Sequence, residues 1–423
     1  MPLSVLENNI VEKHKLFGDR EAIAEAQRCL YCYDPPCVKA CPTTIDIPTF
    51  IRKIAHSNTV SAAKTIFSAN ILGDSCSKVC PVEVLCAGSC VLNHLGETPI
   101  AIGRLQRFAT ENTRQKLAPE ELLGPKKLAS GKRVALIGAG AASLAAASLL
   151  ALEGHQSIIF DKRSFAGGIN SYGIAPYKLK HQEALDEINW LQGLGIEFRL
   201  GIEIDETKAQ EILKDFDAVF LGVGLGEDRL LTMPGSESAG VYGATALIEK
   251  IKIDPNFNLN GIERAHVIGG GNTGIDIAHE LCLLGVPYVA MLYRGSESSM
   301  SGYAHEMAGA RKSGLHFFPN IQVKKINSTN GKLSSFISDQ SDQEIESDLM
   351  VMAVGQSGGT KVAKFFPQIE LDPRSLIVVD ADYRTGNPKV WSGGDAVNGG
   401  KEVVNAVAEA KIAVRSMLEH LAT

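Results

Sequence analysis

Apolar positions along the 423-residue chain gather into short uninterrupted runs, each closed by glycine and followed by a longer apolar stretch. The clearest begins at Arg133–Ile137, which reads as a strand. A glycine turn follows, then a helix over Ala141–Glu153 and a second strand over Ser157–Phe160. The same grammar returns as a strand at Ala265–Ile268, a helix at Gly274–Leu284 and a strand at Tyr288–Tyr293, so two βαβ openings of the dinucleotide-binding type are predicted. Val134–Leu152 carries no charged side chain and approaches the length of a membrane span. Gly138 and Gly140 directly after an apolar run, with another strand behind, fit strand, turn and helix instead, and no membrane association is expected.

Composition agrees with a soluble α/β chain: 45% hydrophobic, 21% charged, 6% aromatic, with 41 glycines. A net charge of -6 and the lack of a long basic run give no attraction to phosphate backbones, so nucleic acid is not an expected partner. The start, MPLSVLENNIVEKHK, has neither an apolar core after a basic stretch nor a small-residue cleavage site; a reducing, cytoplasmic setting is expected.

Eight of the nine cysteines lie between Cys29 and Cys90, which marks a separate N-terminal domain. The polar stretch Glu111–Lys132, with Pro119, Gly124, Pro125 and Gly131, reads as the exit from it. Cys29, Cys32, Cys37 and Cys41-Pro42 have a spacing related to the bacterial ferredoxin run, in which nearby thiolates wrap one cluster and a later one reaches another. Cys76, Cys80-Pro81, Cys86 and Cys90 supply further thiolates. Eight cysteines could also hold two zinc ions or form disulfides. Iron-sulfur clusters are preferred, because the same chain carries nicotinamide-type motifs and clusters give a flavoprotein an outlet for electrons. Cys282, in an apolar helix pattern, reads as a small buried hydrophobe.

The first glycine turn, Gly138-Ala139-Gly140-Ala141-Ala142-Ser143, suits a pyrophosphate approaching backbone amides at a helix N-terminus, with Ser143 where a third glycine would stand. Asp161 ends the next strand and is placed to accept from a ribose. Gly167-Gly168 and Ser392-Gly393-Gly394-Asp395 support FAD at this turn, Asp395 holding ribityl hydroxyls and the helix pattern from Glu402 aiming its amide end at the flavin ring. The second turn, Gly269-Gly270-Gly271-Asn272-Thr273-Gly274, is a full G-x-G-x-x-G and is expected to bind NAD(P). Arg294 stands where an acid would contact an NAD ribose; it can pair with a 2′-phosphate or lie against adenine. No hydrolytic triad or histidine metal cluster is evident, so no catalytic side chain beyond the cofactors is expected.

With these residues in hand, the chain resembles the glutamate synthase small-subunit-like flavoproteins, and among them the N-terminal portion of dihydropyrimidine dehydrogenase. The matching stretches include RCLYCYDPPCVKACPTTIDIPTFI (28 to 51), AAKTIFSANILGDSCSKVCPVEVLCAGSCV (62 to 91), PIAIGRLQRFATE (99 to 111), GGGNTGIDIA and SGGDAV. The resemblance implies an α-helical iron-sulfur domain over 1–125, a discontinuous FAD domain over 126–232 and 355–423, and an NAD(P) domain over 233–354. It implies two 4Fe-4S clusters, one on Cys29, Cys32, Cys37 and Cys90, the other on Cys41, Cys80, Cys86 and Gln106, with Cys76 not a ligand. Gly295 replaces the second basic residue of NADP-using relatives and tilts the expectation from NADPH towards NADH. Ala141, where relatives often have proline, and Asp161, where Glu is common, are milder departures.

The implied activity is electron input: a nicotinamide dinucleotide is oxidised at FAD and electrons pass through 4Fe-4S clusters to an FMN-containing partner that reduces uracil or thymine to the 5,6-dihydropyrimidine. A glutamate synthase small subunit or an NAD(P)H:ferredoxin reductase has the same motif content. A flavin disulfide reductase would need a redox Cys-x-x-Cys beside the nucleotide domains, and none follows Cys90. From another class comes a flavoprotein with a zinc-stapled docking module, which metal analysis would separate.

Overall fold

The computed structural model describes residues 4–12 and 15–422. The chain forms two compact units. The larger takes in the described parts of His14–Ser171, Gln182–Leu225 and Gly358–Thr423; the smaller takes in those of Met1–Lys13, Tyr172–His181 and Gly226–Ser357. This differs from the division by sequence in two respects: the helical region and the first dinucleotide-type region cluster together, and two short pieces of chain join the second.

The larger unit begins with helices, among them Asp19–Gln27, Ile47–Ala55, Thr59–Ala69, Gly73–Val79 and Ile102–Arg114. Their starts are set by side-chain caps where the sequence supplies them: Asp46 accepts from the Thr49 amide and Asn58 from the Ser61 amide. Phe50, Ile51 and Ile54 are fully buried, as are Ala62, Ala63, Ile66 and Phe67 on the neighbouring helix. Behind them lies a parallel five-stranded sheet in the order Val390–Ser392, Ala218–Leu221, Arg133–Ile137, Gln156–Asp161, Glu197–Leu200.

The uncharged helix Ala141–Leu152 is covered by this sheet on one side and by the C-terminal helix Val403–Leu421 on the other. Burial all round explains a sequence apolar all round. Among the described residues no helix is long and apolar enough to cross a membrane. The helical region is fastened to the rest by buried polar groups as well as by packing. Glu187, on the helix His181–Gln192, accepts from the Asp74 and Ser75 amides and the Ser75 hydroxyl; Trp190 packs on Phe67, ring centroids 4.9 Å apart.

The smaller unit has its own parallel five-stranded sheet, ordered Val241–Gly243, Leu349–Met352, Arg264–Ile268, Tyr288–Tyr293, His316–Pro319. A three-stranded antiparallel sheet, Val323–Thr329, Lys332–Ser338 and Glu344–Glu346, adds to it. Ile10 and Tyr177, distant in sequence, are buried in the core with Leu247, Ile275, Leu281 and Val351, which is why Met1–Lys13 and Tyr172–His181 belong here. The second piece is a strap. Lys252 donates to the Ile174 and Leu179 carbonyls, the Tyr177 amide donates to Glu280, and the His181 amide donates to Glu7. Lys178 sits between Asp276, at 2.7 Å, and Glu306, at 2.6 Å, and the Tyr177 hydroxyl donates to Asp276.

Candidate functional site

Folding sorts the eight N-terminal cysteines into two groups that cut across their order in the chain. Cys29, Cys32 and Cys37 gather with Cys90, whereas Cys41, Cys76, Cys80 and Cys86 line one cavity, with Cys86 also within electrostatic reach of Cys37. The second group lines a small cavity with Pro42, Ile45, Asn70, Leu85, Gln106 and Val404. Gln106 projects from the helix Ile102–Arg114, and its Nε2 donates to the Gly73 carbonyl at 2.7 Å, which leaves the amide oxygen as the end available to the cavity. Cys76 lies in the same lining, a free thiol hydrogen-bonded to the free thiol of Cys80.

Burial pushes the Cys37 and Cys86 thiols up to about 12, and nearby sulfurs push the same way. Cys80 is raised by its bond to Cys76 and then by burial, and Cys29 by burial. Such crowded thiols ionise together only against positive charge, and iron bound by soft sulfur supplies it. Among the described residues no three His, Cys, Asp or Glu side chains converge on a single-ion site. The donor set around this cavity, four thiols and the Gln106 amide oxygen, fits an iron-sulfur cluster.

The first glycine turn has the features that a pyrophosphate cradle needs. Gly138 has φ +90°, and a Cβ there would lie 2.5 Å from the Gly222 carbonyl oxygen. Gly140 caps the helix Ala141–Leu152, whose first turn includes Ala141, Ala142 and Ser143. Ser143 is buried without a hydrogen-bond partner, and a side chain at Gly222 would begin 2.2 Å from its Oγ. Gly222, at the end of the strand Ala218–Leu221, thus provides the clearance that a third glycine would have given.

Asp161 accepts from the Ala139 amide at 2.7 Å and the Arg163 amide at 2.8 Å, so its first task is to hold the turn; a carboxylate keeps lone pairs for a ribose. Gly167 and Gly168 both have positive φ, and a Cβ on Gly168 would come within 2.9 Å of the Gly140 Cα. Gly394 has φ +73° with Ala142 Cβ 3.0 Å from where a side chain would start. Burial raises the Asp395 carboxyl to about 6, with Glu409 and Glu402 adding to the effect and the Lys401 amide opposing it. The fold therefore brings these segments together in pairs: Gly168 against Gly140, Gly394 against Ala142, and Asp161 on the Ala139 amide.

In the smaller unit Gly269 has φ +143°, and a Cβ would meet the Ala353 carbonyl oxygen at 2.3 Å. Gly271 caps the helix Asn272–Leu283, which starts two residues earlier than the apolar pattern suggested. Gly274 lets this helix approach Met291 and Ala353. Asn272 accepts from the Tyr303 amide, Thr273 is exposed, and Arg294 is exposed past the end of Tyr288–Tyr293.

Sequence reasoning did not single out Gly222, Val404 or the strap residues Tyr177 and Lys178. Gly222 alone carried a local signal, a glycine closing an apolar run.

Residues 132–410 match the family model for pyridine nucleotide-disulphide oxidoreductases. The chain belongs to this family. Residues 6–118 match the model for dihydropyrimidine dehydrogenase domain II, 4Fe-4S cluster. The NAD-dependent dihydropyrimidine dehydrogenase subunit PreT of Escherichia coli K12 is 32% identical over 98% of this chain and 98% of its own length. The glutamate synthase [NADPH] small chain of the same organism is 30% identical over 99% of this chain and 96% of its own. Among solved structures, thioredoxin reductase of T. acidophilum aligns with 69% of this chain and 98% of its own at TM-score 0.56 and 22% identity, a likeness of fold. The family member described here is an FAD-dependent NAD(P)H oxidoreductase with an iron-sulfur domain of the 4Fe-4S type ahead of its flavin fold, as the α/β expectation had it.

Proposed function

We propose that the chain is the electron-input subunit of a dihydropyrimidine dehydrogenase, oxidising NADH at FAD and delivering electrons through two 4Fe-4S clusters to an FMN-containing partner that reduces uracil or thymine. The observation that carries this reading is the sharing of the C-terminal helix. Val404, in its first turn, lines the cavity of the second cysteine group, and Ala406 Cβ lies 3.6 Å from where a Gly394 side chain would begin. Lys411, further along, donates to the Thr43 and Ala69 carbonyls and ties the helix to the cysteine loops.

Bound FAD supplies the conversion between two-electron hydride chemistry and the one-electron chemistry of iron-sulfur clusters. The amides of Gly140–Ser143 would hold its pyrophosphate, Asp161 its ribose and Asp395 its ribityl chain, and the amide end of Val403–Leu421 would stabilise negative charge on the reduced ring. Cys29, Cys32, Cys37 and Cys90 hold one cluster; Cys41, Cys80, Cys86 and Gln106 hold the other. The amides of Asn272–Gly274 take the dinucleotide pyrophosphate, with Arg294 at its adenosine end. On this reading the larger unit carries the clusters and FAD, and the smaller unit, assembled from three segments of chain, takes the dinucleotide.

Supporting the assignment is the relative PreT, alike over nearly its whole length. The glutamate synthase small chain, alike over a similar span, favours a second reading in which the partner is a large glutamate-forming chain. The test is to purify the chain anaerobically, count iron, sulfide and FAD, and titrate with NADH and NADPH under optical and EPR observation. About eight irons per chain, as two four-iron clusters require, and cluster signals that grow with NADH support the reading. Flavin reduction in a protein without iron refutes the electron-transfer half. Uracil reduction on adding an FMN-containing chain, against glutamate formation on adding a glutaminase chain, separates the two partners.

A further inference from the structure

The loop after the strand Tyr288–Tyr293 is folded onto the second glycine turn. The Gly302 amide donates to the Gly270 carbonyl at 2.9 Å, and the Tyr303 amide to Asn272 Oδ1 at 2.8 Å. The Tyr293 ring fills the space beside Gly270, 2.6 Å from where a Cβ would be, and its hydroxyl donates to the Ser299 carbonyl at 3.0 Å. Residues 295–303 thus form a wall of the dinucleotide groove.

Two features of this wall bear on a phosphate at the adenosine ribose. A Cβ at Gly295 would begin 2.7 Å from Ser299 Oγ and 3.1 Å from the Tyr293 ring. The Ser299 hydroxyl is not free to swing away without cost, because it donates to the Ser296 carbonyl at 2.7 Å. The position that would carry a second basic side chain is therefore closed by packing as well as lacking the residue. Next to it, Glu297 holds Arg311 in a two-pronged pair, Nη1 to Oε1 at 2.8 Å and Nη2 to Oε2 at 2.9 Å. Arg311 is a guanidinium near the groove with its fork already taken by a carboxylate, the geometry that a phosphate would otherwise use.

We propose that Ser299 and Glu297 are specificity-determining residues: Ser299 closes the space at Gly295, and Glu297 keeps Arg311 from a 2′-phosphate, so the groove selects the dinucleotide that lacks one. The inference rests on the reading of Arg294 as the adenosine end of the site and of NADH as the preferred donor. It goes further in saying that preference is imposed by an occupied cation and a filled space, and that it is reversible by freeing them.

The experiment is anaerobic stopped-flow reduction of the bound flavin in the holoprotein, giving the ratio of kcat/KM for NADPH to that for NADH. Glu297→Gln should raise the ratio about tenfold, the scale of one charge-assisted hydrogen bond to phosphate, chiefly through KM for NADPH. Adding Arg311→Met should cancel the gain. Gly295→Arg alone should move the ratio less than Gly295→Arg with Ser299→Gly. No change in E297Q, a gain that survives R311M, or equal effects of G295R with and without S299G would overturn the proposal. A wild-type protein that prefers NADPH would instead overturn the reading beneath it.

Discussion

Replacing Lys178 by methionine tests how the strap is held. The lysine side chain is 9% exposed and serves two carboxylates at once, the half-buried Asp276 and the buried Glu306, while the Tyr177 hydroxyl also donates to Asp276. Burial raises the Asp276 carboxyl from 3.8 to about 6, with Lys178 opposing and Glu306 reinforcing the shift. Lys178 is raised to about 12, since the two carboxylates outweigh its burial. An acid raised on folding contributes stability that is present below its unfolded value and lost as pH climbs through the folded one. The Asp276 contribution, about 3 kcal/mol for a shift of roughly two units, therefore fades between about pH 4 and 7.

Lys178 itself stays protonated until pH passes 10.5, so over the working range the worth of the pair is set by the charge on its two carboxylates. Removing it leaves two buried carboxylates without their cation, a loss of about 3–5 kcal/mol when both are ionised. At mildly acidic pH one of them takes a proton and the loss shrinks to about 1 kcal/mol, that of the missing hydrogen bonds. Hydrogen exchange of the amides in Asn272–Leu283, followed by mass spectrometry at about pH 5.5 and pH 8 and corrected for intrinsic rates, reads the difference directly. The mutant should open at least about a hundredfold more often than wild type at the higher pH and about tenfold or less at the lower. An equal penalty at the two values would refute the argument, since it would mean that packing of the lysine stem and not its charge is what matters.

Three further outcomes are expected. Cys76→Ala should retain its full iron while Cys80→Ala loses a cluster, by iron analysis and EPR; equal losses would remove Gln106 from the ligand set. Gly138→Ala, forced into a left-handed φ with its methyl 2.5 Å from the Gly222 carbonyl oxygen, carries strain of about 1–2 kcal/mol besides the contact and should purify with reduced FAD content at unchanged iron. Glu187→Gln should flatten the fall in urea midpoint between mildly acidic and alkaline pH, because burial, with Asp74 adding to it, lifts this carboxyl from 4.5 to about 7 and its contribution is lost as pH rises through that value. A slope unchanged in the variant would assign the pH dependence elsewhere.

The two glycine turns could be read in advance because their residues are dictated locally: positive φ at Gly138 and Gly269, and carbonyls too near for any side chain. Apolar runs likewise announced both parallel sheets. The partition of the cysteines depends on chain folding back on itself, so spacing alone hints that one thiolate crosses over without saying which later cysteine replaces it. Gln106 has no spacing signature at all, being one amide in a helix of ordinary composition. The strap was hidden for a related reason. Tyr177, Lys178, Lys252 and Glu280 are polar groups in buried positions, and a pattern reader assigns such residues to the surface. Ser143 stands in place of a glycine, yet its compensation, Gly222, follows the end of another strand, Ala218–Leu221, and only the fold pairs them.

The strap also decides how the molecule can be taken apart. Because the chain enters the smaller unit as Met1–Lys13, returns as Tyr172–His181 and comes back once more as Gly226–Ser357, no single cut releases that unit whole. A fragment beginning at Gly226 would lack Ile10 and Tyr177 from its core and would leave Lys252, Asp276, Glu280 and Glu306 facing an open trench. Swapping the nucleotide-binding module with that of a relative, a common route to a new electron donor, would therefore have to carry three segments together.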